Sequence, residues 1–219
     1  MARKTGRARA RGGTYHHHRL RAALIKAARE IVEERGIGAL SLRATARRAG
    51  VSHAAPYHHF SGKAGLLAAV AADGFERLGT SIARQQSKSA PDDAVSQFAG
   101  VGAGYVQFAV RHPSLFRLMF RPEMTRPADH PELRQAEARA FEILSAAIGG
   151  LAKSDRLIVG DPSALALTAW STVHGLSFLG IDQVLEETPL RAMPFSQLAD
   201  AVNRAIVALL TKPPARESS

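Results

Sequence analysis

The sequence predicts an all-α fold, a small three-helix N-terminal domain joined to a larger helical body. Three observations predict it. Apolar residues recur at helical spacing through most of the 219 residues, with no alternation of the kind a half-buried strand shows. Ser, Asp, Pro and Gly stand where helix starts and stops need them. Charge is segregated: residues 1–63 hold 14 Lys and Arg against 3 Glu, a net of +11, whereas the remaining residues are almost balanced. A basic head on a near-neutral body fits a polyanion-binding segment attached to a domain with another task, or a solubilising basic tail.

Composition narrows the class. Hydrophobic residues at 46% and charged residues at 22% are the balance of a packed globular protein rather than a disordered one. With no cysteine, disulfides and thiolate metal sites are excluded. The basic N-terminus is followed by no apolar core of the kind a signal peptide carries, and apolar stretches are interrupted before membrane-spanning length. A cytoplasmic location, with no membrane partner, is expected.

Residues 1–18, with Arg3, Lys4, Arg7, Arg9 and Arg11 among Gly and Ala, read as a flexible cationic arm. A first helix starts at Arg19, buries Leu20, Leu24, Ala27, Ala28 and Ile31, and stops at Gly36, which tolerates positive φ. Ser41 caps a second helix, Leu42 to Ala49, with Leu42, Ala46 and Ala49 inward and Arg43, Arg47 and Arg48 outward. Gly50 ends it and Ser52 caps a short third helix, about His53 to Phe60, with Pro56 in its first turn or just past it. Ser61-Gly62 breaks the chain, and a long helix from Lys63 leaves the head for the body. The head is expected over 19–65 and the body over 66–211, with 212–219 a disordered tail.

The body reads as helices throughout. Val95, Phe98, Val101, Tyr105 and Phe108 share one face until His112-Pro113. Ser114 to Phe120 is a short apolar helix, and 122–130 a Pro-containing loop. Pro131 opens a helix carrying Leu133, Glu137, Ala140, Leu144, Ile148 and Leu151. Asp161-Pro162 opens another, Ser163 to about Leu185, apolar on nearly all sides and expected to be buried on more than one face. Ser196 to Leu210, with Leu198, Val202, Ile206 and Leu209 inward, is the last.

Helix, Gly-containing turn, helix over Ser41–Phe60 is the helix-turn-helix arrangement, whose second helix enters the major groove. Small residues at the start of that helix let backbone approach base edges. Ala54 and Ala55 suit a thymine methyl, and His53 a base acceptor or a phosphate. Tyr57, His58, His59 and Lys63 suit phosphates, which set register rather than sequence. With Ser41, Arg43 and Ser52 these form the candidate DNA-binding set.

At these residues the chain resembles a known family. Gly50-Val51-Ser52, then Tyr57, His59-Phe60, Lys63 and Leu66-Leu67, preceded by Leu24, Ala27-Ala28 and Ser41-Leu42-Arg43, resemble the signature of the TetR family of bacterial transcriptional regulators. In the body, Phe108-Ala109, His112-Pro113, Leu115 to Phe120 and Trp170, His174-Gly175 are similar to the TetR subgroup with a WHG-type C-terminal domain, as is Tyr15-His16-His17. The resemblance implies a helical ligand-binding and dimerisation domain, a homodimer joined by the last two long helices of each subunit, and an effector cavity whose occupancy moves the DNA heads apart. The implied partners are a pseudo-palindromic double-stranded operator and a small apolar or aromatic effector. The subgroup has Gly and a polar residue after Tyr-His-His, where this chain has His18 and Arg19. Ala54 and Ala55 replace polar base-reading residues of some relatives, so discrimination would rest on His53, the arm in the minor groove and DNA shape.

Other features have quieter explanations. His16, His17 and His18 are adjacent on one segment without thiolate or carboxylate and suit a metal site poorly. His58 and His59 lack a nucleophile or carboxylate in register. Trp170, His174 and Gly175 share a helical face, for packing or for a hydrogen bond into a cavity. Phe98, Tyr105, Phe108, Phe116, Met119, Phe120 and Phe178 form, with Trp170 and His174, the candidate ligand pocket, although such a stripe equally makes plain core. No acid–base pair, phosphate loop or nucleophile motif stands out, so neither an enzyme nor a cofactor is expected. The rival function is non-specific or architectural nucleic-acid binding, for which arm and charge alone would suffice.

Overall fold

The computed structural model describes the backbone of residues 8–213 and the side chains of residues 19–213. Among the described residues it is helical, with one isolated β-bridge between Leu157 and Thr211. The helices are α1 (Ala8–Arg35), α2 (Leu42–Ala49), α3 (Lys63–Gln86), α4 (Ala94–Arg111), α5 (Pro113–Met119), α6 (Pro122–Thr125), α7 (Pro131–Lys153), α8 (Pro162–Ile181) and α9 (Phe195–Leu210). The chain divides into two compact units. One runs to Asp73 and takes in Arg117–Arg134, and the other comprises Gly74–Phe116 and the chain from Gln135.

In the first unit α1 buries Leu24, Ala27, Ala28, Ile31 and Val32 against α2 and the turn before it. It begins at Ala8, eleven residues before the expected start at Arg19. Periodicity marks the part of a helix that packs, and the alternating Ala and Arg of residues 8–11 carry high helix propensity of their own. Of the proposed arm, Arg3, Lys4 and Arg7 lie outside the described residues, as do the side chains of Arg9, Arg11 and the His16–His18 run. Arg29 is buried between two carboxylates, hydrogen-bonded to Glu33 at 3.1 Å and ion-paired with Asp73 at 3.1 Å, which ties α1 to α3.

The segment 122–130, expected as a loop, is one short helix and a 3-10 turn, Pro127–Asp129. It belongs with the head rather than the body. Its Thr125 is fully buried, with its hydroxyl donating to the Arg121 carbonyl at 3.2 Å. The boundary also falls after Asp73, eight residues beyond the expected one, because α3 is continuous through it.

In the second unit α4 packs against both α8 and α9. Asp161 caps α8 as its sequence position predicts, accepting from the Ala164 N–H at 2.9 Å. α8 ends at Ile181, four residues early; Gln183 adopts left-handed backbone, and two 3-10 turns follow, Val184–Glu187 and Pro189–Ala192. Nor is α8 buried all round. Ala166, Ala169, Val173, Leu176 and Ser177 face inward, whereas Leu167 is 55% and Leu179 41% exposed. In α9 the expected core residue Leu209 is 62% exposed and its neighbour Leu210 is buried instead. Lys212, placed in the expected disordered tail, is tied to Asp155 and to the Arg156 carbonyl; residues 214–219 lie outside the described ones.

Candidate nucleic-acid interface

The interface is built on two short elements. Ser41 adopts extended backbone and its Oγ accepts from the Ala44 N–H at 3.1 Å, so it caps α2 as expected. Thr45 donates back to the Ser41 carbonyl at 2.9 Å and is fully buried, which makes Leu42, Thr45 and Ala46 the inner face and leaves Ala49 half-buried. Gly50 at φ 68° closes the helix in the left-handed region, where a side chain is disfavoured. The outward arginines differ in state. Arg43 and Arg47 are exposed and form no ion pair with a described residue. Arg48 turns back onto α1, donating to Glu30 at 2.9 Å and to both oxygens of Glu34. The hydrogen bond from Arg48 holds the Glu34 carboxyl below its ordinary range. Arg48 thus braces α2 against α1 and, although exposed, is engaged where the other two are not.

The third element departs from expectation. Instead of an α-helix from His53 to Phe60, the structure has a turn at His53–Ala54 and a 3-10 helix, Ala55–His58. Pro56 is the cause. The first α-helical bond after a Ser52 cap would run from residue 56 to the Ser52 carbonyl, and proline has no N–H to give. The backbone closes three-residue turns instead: Ala55 N–H to Ser52 O at 3.1 Å, Tyr57 N–H to Ala54 O at 3.1 Å, His59 N–H to Pro56 O at 3.0 Å. Ser52 therefore contributes its carbonyl, not the expected side-chain cap.

Pro56 is buried and anchors the segment, while Ser52, His53, Ala54, Tyr57 and His58 are exposed, Tyr57 to 58%. In a 3-10 turn residues three apart eclipse, which puts Ala54 in line with Tyr57. Ala55 is half-buried, so Ala54 is the freely offered methyl of the pair. Lys63, at the start of α3, is exposed. His59 is half-buried beside Phe60, ring centroids 6.3 Å apart, and lines a recess with Arg21 and His130 rather than standing fully in solvent with the others. The exposed set is a compact, cationic, small-residue surface of the kind that docks on phosphates while bringing backbone to base edges.

The candidate pocket residues fall in both units. Met119 and Phe120 belong to the first. In the second, Phe98, Tyr105, Phe108 and Phe116 are buried and Trp170, His174 and Phe178 half-buried. These rings pack on one another: Phe116 lies 5.5 Å from Tyr105 and 5.3 Å from Phe178, and His174 lies 4.9 Å from Phe178. One polar chain threads them. The Trp170 indole donates to the Tyr105 hydroxyl at 3.2 Å, and that hydroxyl meets His174 Nδ1 at 2.7 Å. Burial lowers the His174 pKa and raises that of Tyr105, which favours the neutral form of both. His174 is thus a hydrogen-bonded, half-buried histidine among the aromatic rings.

Arg21, Glu132 and His130 lie beyond sequence reasoning. Arg21 and Glu132 are 111 positions apart and meet only through the fold. The Glu30–Glu34 spacing does offer a signal, two carboxylates one turn apart facing an arginine-bearing helix.

Comparison with known proteins agrees with this geometry. A family model described as bacterial regulatory proteins, tetR family, matches residues 24–70, and one described as tetracyclin repressor-like, C-terminal domain, matches residues 98–210. A protein of unknown function from Rhodococcus sp. RHA1 is 29% identical over 88% of this chain and 96% of its own, with a TM-score of 0.74. The fatty acid degradation regulator FadR from Bacillus halodurans shares the fold at 14% identity, covering 94% of this chain and 97% of its own, with a TM-score of 0.66. The TetR family transcriptional regulator PfmR from Thermus thermophilus does so at 18%, covering 84% and 97%, with a TM-score of 0.61. No curated protein matches. A capped α2, a glycine turn and an exposed basic segment lie within the first match, and the helical body carries the second, so the chain belongs to the TetR family of bacterial transcriptional regulators.

Proposed function

We propose that the chain is a homodimeric, sequence-specific repressor, released from its operator by a small apolar or aromatic effector. The observation that carries the DNA half is the exposed His53–His58 surface, flanked by exposed Arg43, Arg47 and Lys63 and anchored by buried Pro56. Arg43, Tyr57, His58 and Lys63 hold phosphates, His53 and Ala54 address bases, and the basic N-terminal residues reach the adjacent minor groove. Two heads would read a pseudo-palindrome with half-sites about 34–36 Å apart. The second apolar face of α8, with Leu167 and Leu179 exposed, supports a dimer through α8 and α9. Against the expectation that apolar stretches are interrupted short of it, α8 is long and apolar enough to cross a membrane by length and composition; a covered dimer face would account for that composition in a cytoplasmic DNA-bound protein. The aromatic cluster around Tyr105 and His174 supports an effector with an aromatic or apolar body, whose preference for one head arrangement shifts the population.

In vitro selection from random duplexes, followed by competition at several salt concentrations, tests this. An enriched palindromic motif is expected. Lys63→Ala should weaken binding to all sequences and lower the salt slope by about 1, and His53→Ala should change preference more than affinity. Equal affinity for selected and random duplexes would establish the rival function, non-specific or architectural binding.

A further inference from the structure

We infer that Arg21 is a positioning residue for DNA binding, a relay that fixes the recognition segment to the first turn of α7 through Glu132 and Phe60. This rests on the proposed DNA contact by His53–His58. Arg21 Nη1 donates to Glu132 Oε1 at 3.1 Å and Nη2 to Oε2 at 2.5 Å, a two-pronged pair. The same guanidinium lies over the Phe60 ring, 5.6 Å from its centroid. Phe60 is buried, and its N–H donates to the Pro56 carbonyl at 3.0 Å, inside the 3-10 segment that presents Tyr57 and His58. Behind Glu132, Leu133 is buried, which pins the turn of α7 that carries it. These groups wall a recess of about 170 Å³ with His59, Ser61, Gly65 and His130.

The chemistry of arginine makes this a relay rather than an ordinary surface pair. A planar fork engages both oxygens of one carboxylate while its face stacks on a ring, so the carboxylate and the ring share one geometry. α7 runs unbroken from Pro131 to Lys153, with its turn through Arg134 in the head unit and the remainder in the other. Displacement of that turn therefore acts on Glu132, then on Arg21, then on the ring next to the recognition segment. Arg21 and Glu132 side chains are 30% and 58% exposed. Such a pair adds little to stability, so its loss should register in DNA affinity and not in the melting temperature.

Fluorescence anisotropy with the duplex selected above, over a salt series and alongside thermal melts, tests the relay on the full chain. Arg21→Ala and Glu132→Ala should each weaken binding by about 3- to 30-fold, and the double variant should be no weaker than either. The salt slope should stay at its wild-type value, because no phosphate contact is lost. Arg21→Lys, which keeps the charge and loses the fork, should fall between. The exchanged pair, Arg21→Glu with Glu132→Arg, should recover part of the affinity lost by Glu132→Arg alone. Should Arg21→Ala melt early, Glu132→Gln, which leaves the Arg21–Phe60 stack in place, carries the comparison.

Two results overturn the relay. If Arg21→Ala weakens binding and flattens the salt slope while Glu132→Ala binds as tightly as wild type or tighter, Arg21 holds a phosphate directly. If both single variants bind as wild type does, the pair positions nothing. Failure of the wild-type chain to prefer any duplex appears before a variant is made, and overturns the sequence-specific function from which the relay derives.

Discussion

Gly104→Ala is expected to be among the most destabilising single-methyl substitutions in the protein. α3 and α4 cross so closely there that a Cβ on Gly104 would lie 2.5 Å from the Ile82 Cα, 2.9 Å from its N and 3.0 Å from the Ser81 O. Ordinary contacts between such atoms are about 3.5–4.0 Å, so the helices must part by about 1 Å. All three atoms are backbone, and no rotamer change relieves the clash. Parting also stretches the bond from Ser81 Oγ to the Gly104 carbonyl, now 3.0 Å. Overpacking at about 1–3 kcal/mol and a weakened hydrogen bond at about 0.5–1.5 kcal/mol, less the ~0.5–1 kcal/mol that alanine gains over glycine in a helix, give a net loss of about 1–3.5 kcal/mol. For a chain of this length that is a fall of roughly 2–14 °C in the melting midpoint. Urea unfolding followed by far-UV circular dichroism measures it, with the denaturant slope expected to be unchanged. Gly149→Ala is the matched control. Gly149 is helical with nothing within 4 Å of its Cβ position, so alanine there should stabilise by about 0.5–1 kcal/mol. The two substitutions should move the midpoint in opposite directions; a Gly104→Ala variant within about 0.5 kcal/mol of wild type would refute the account of the crossing.

Three further outcomes are expected. Ser41→Ala should cost about 1 kcal/mol by removing the α2 cap, read as a lowered urea midpoint, and Ser41→Asp should restore it. Because burial lowers the His174 pKa from 6.5, the unfolded chain takes up a proton near pH 6.5 that the folded chain refuses until lower pH; unfolding free energy should fall as pH drops through that window, and His174→Phe should flatten that part of the profile relative to wild type. Leu179→Arg, on the exposed face of α8, should convert a dimer to a monomer in sedimentation velocity while leaving the helical spectrum intact.

Much of the fold is legible in the sequence because helix ends declare themselves locally. Ser41, Gly50, Asp161 and Pro162 act through bonds to residues three or four away, and their chemistry alone places each of them. The position of the recognition segment is legible in the same way, and its helix type is not. Pro56 is tolerable in a first turn, but its missing N–H falls on the bond that would found an α-helix. For Arg48, a helical wheel shows which side a residue leaves from, not which carboxylates wait there. Burial of α8 is overestimated for a related reason: apolar composition reports that a face favours cover, not what covers it. Arg21 and Glu132 carry no local signal at all.

The short 3-10 turn separates two properties that most binding helices combine. Its hold on the fold is concentrated in Pro56 and Phe60, which are buried, while His53, Ala54, Tyr57 and His58 stand outside the core. Exposed positions of this kind tolerate exchange at almost no cost in stability. If these side chains read the operator as proposed, its address is written in a few positions that can be exchanged without refolding the protein, which would make this head a suitable scaffold for retargeting and let duplicated copies drift to new operators quickly.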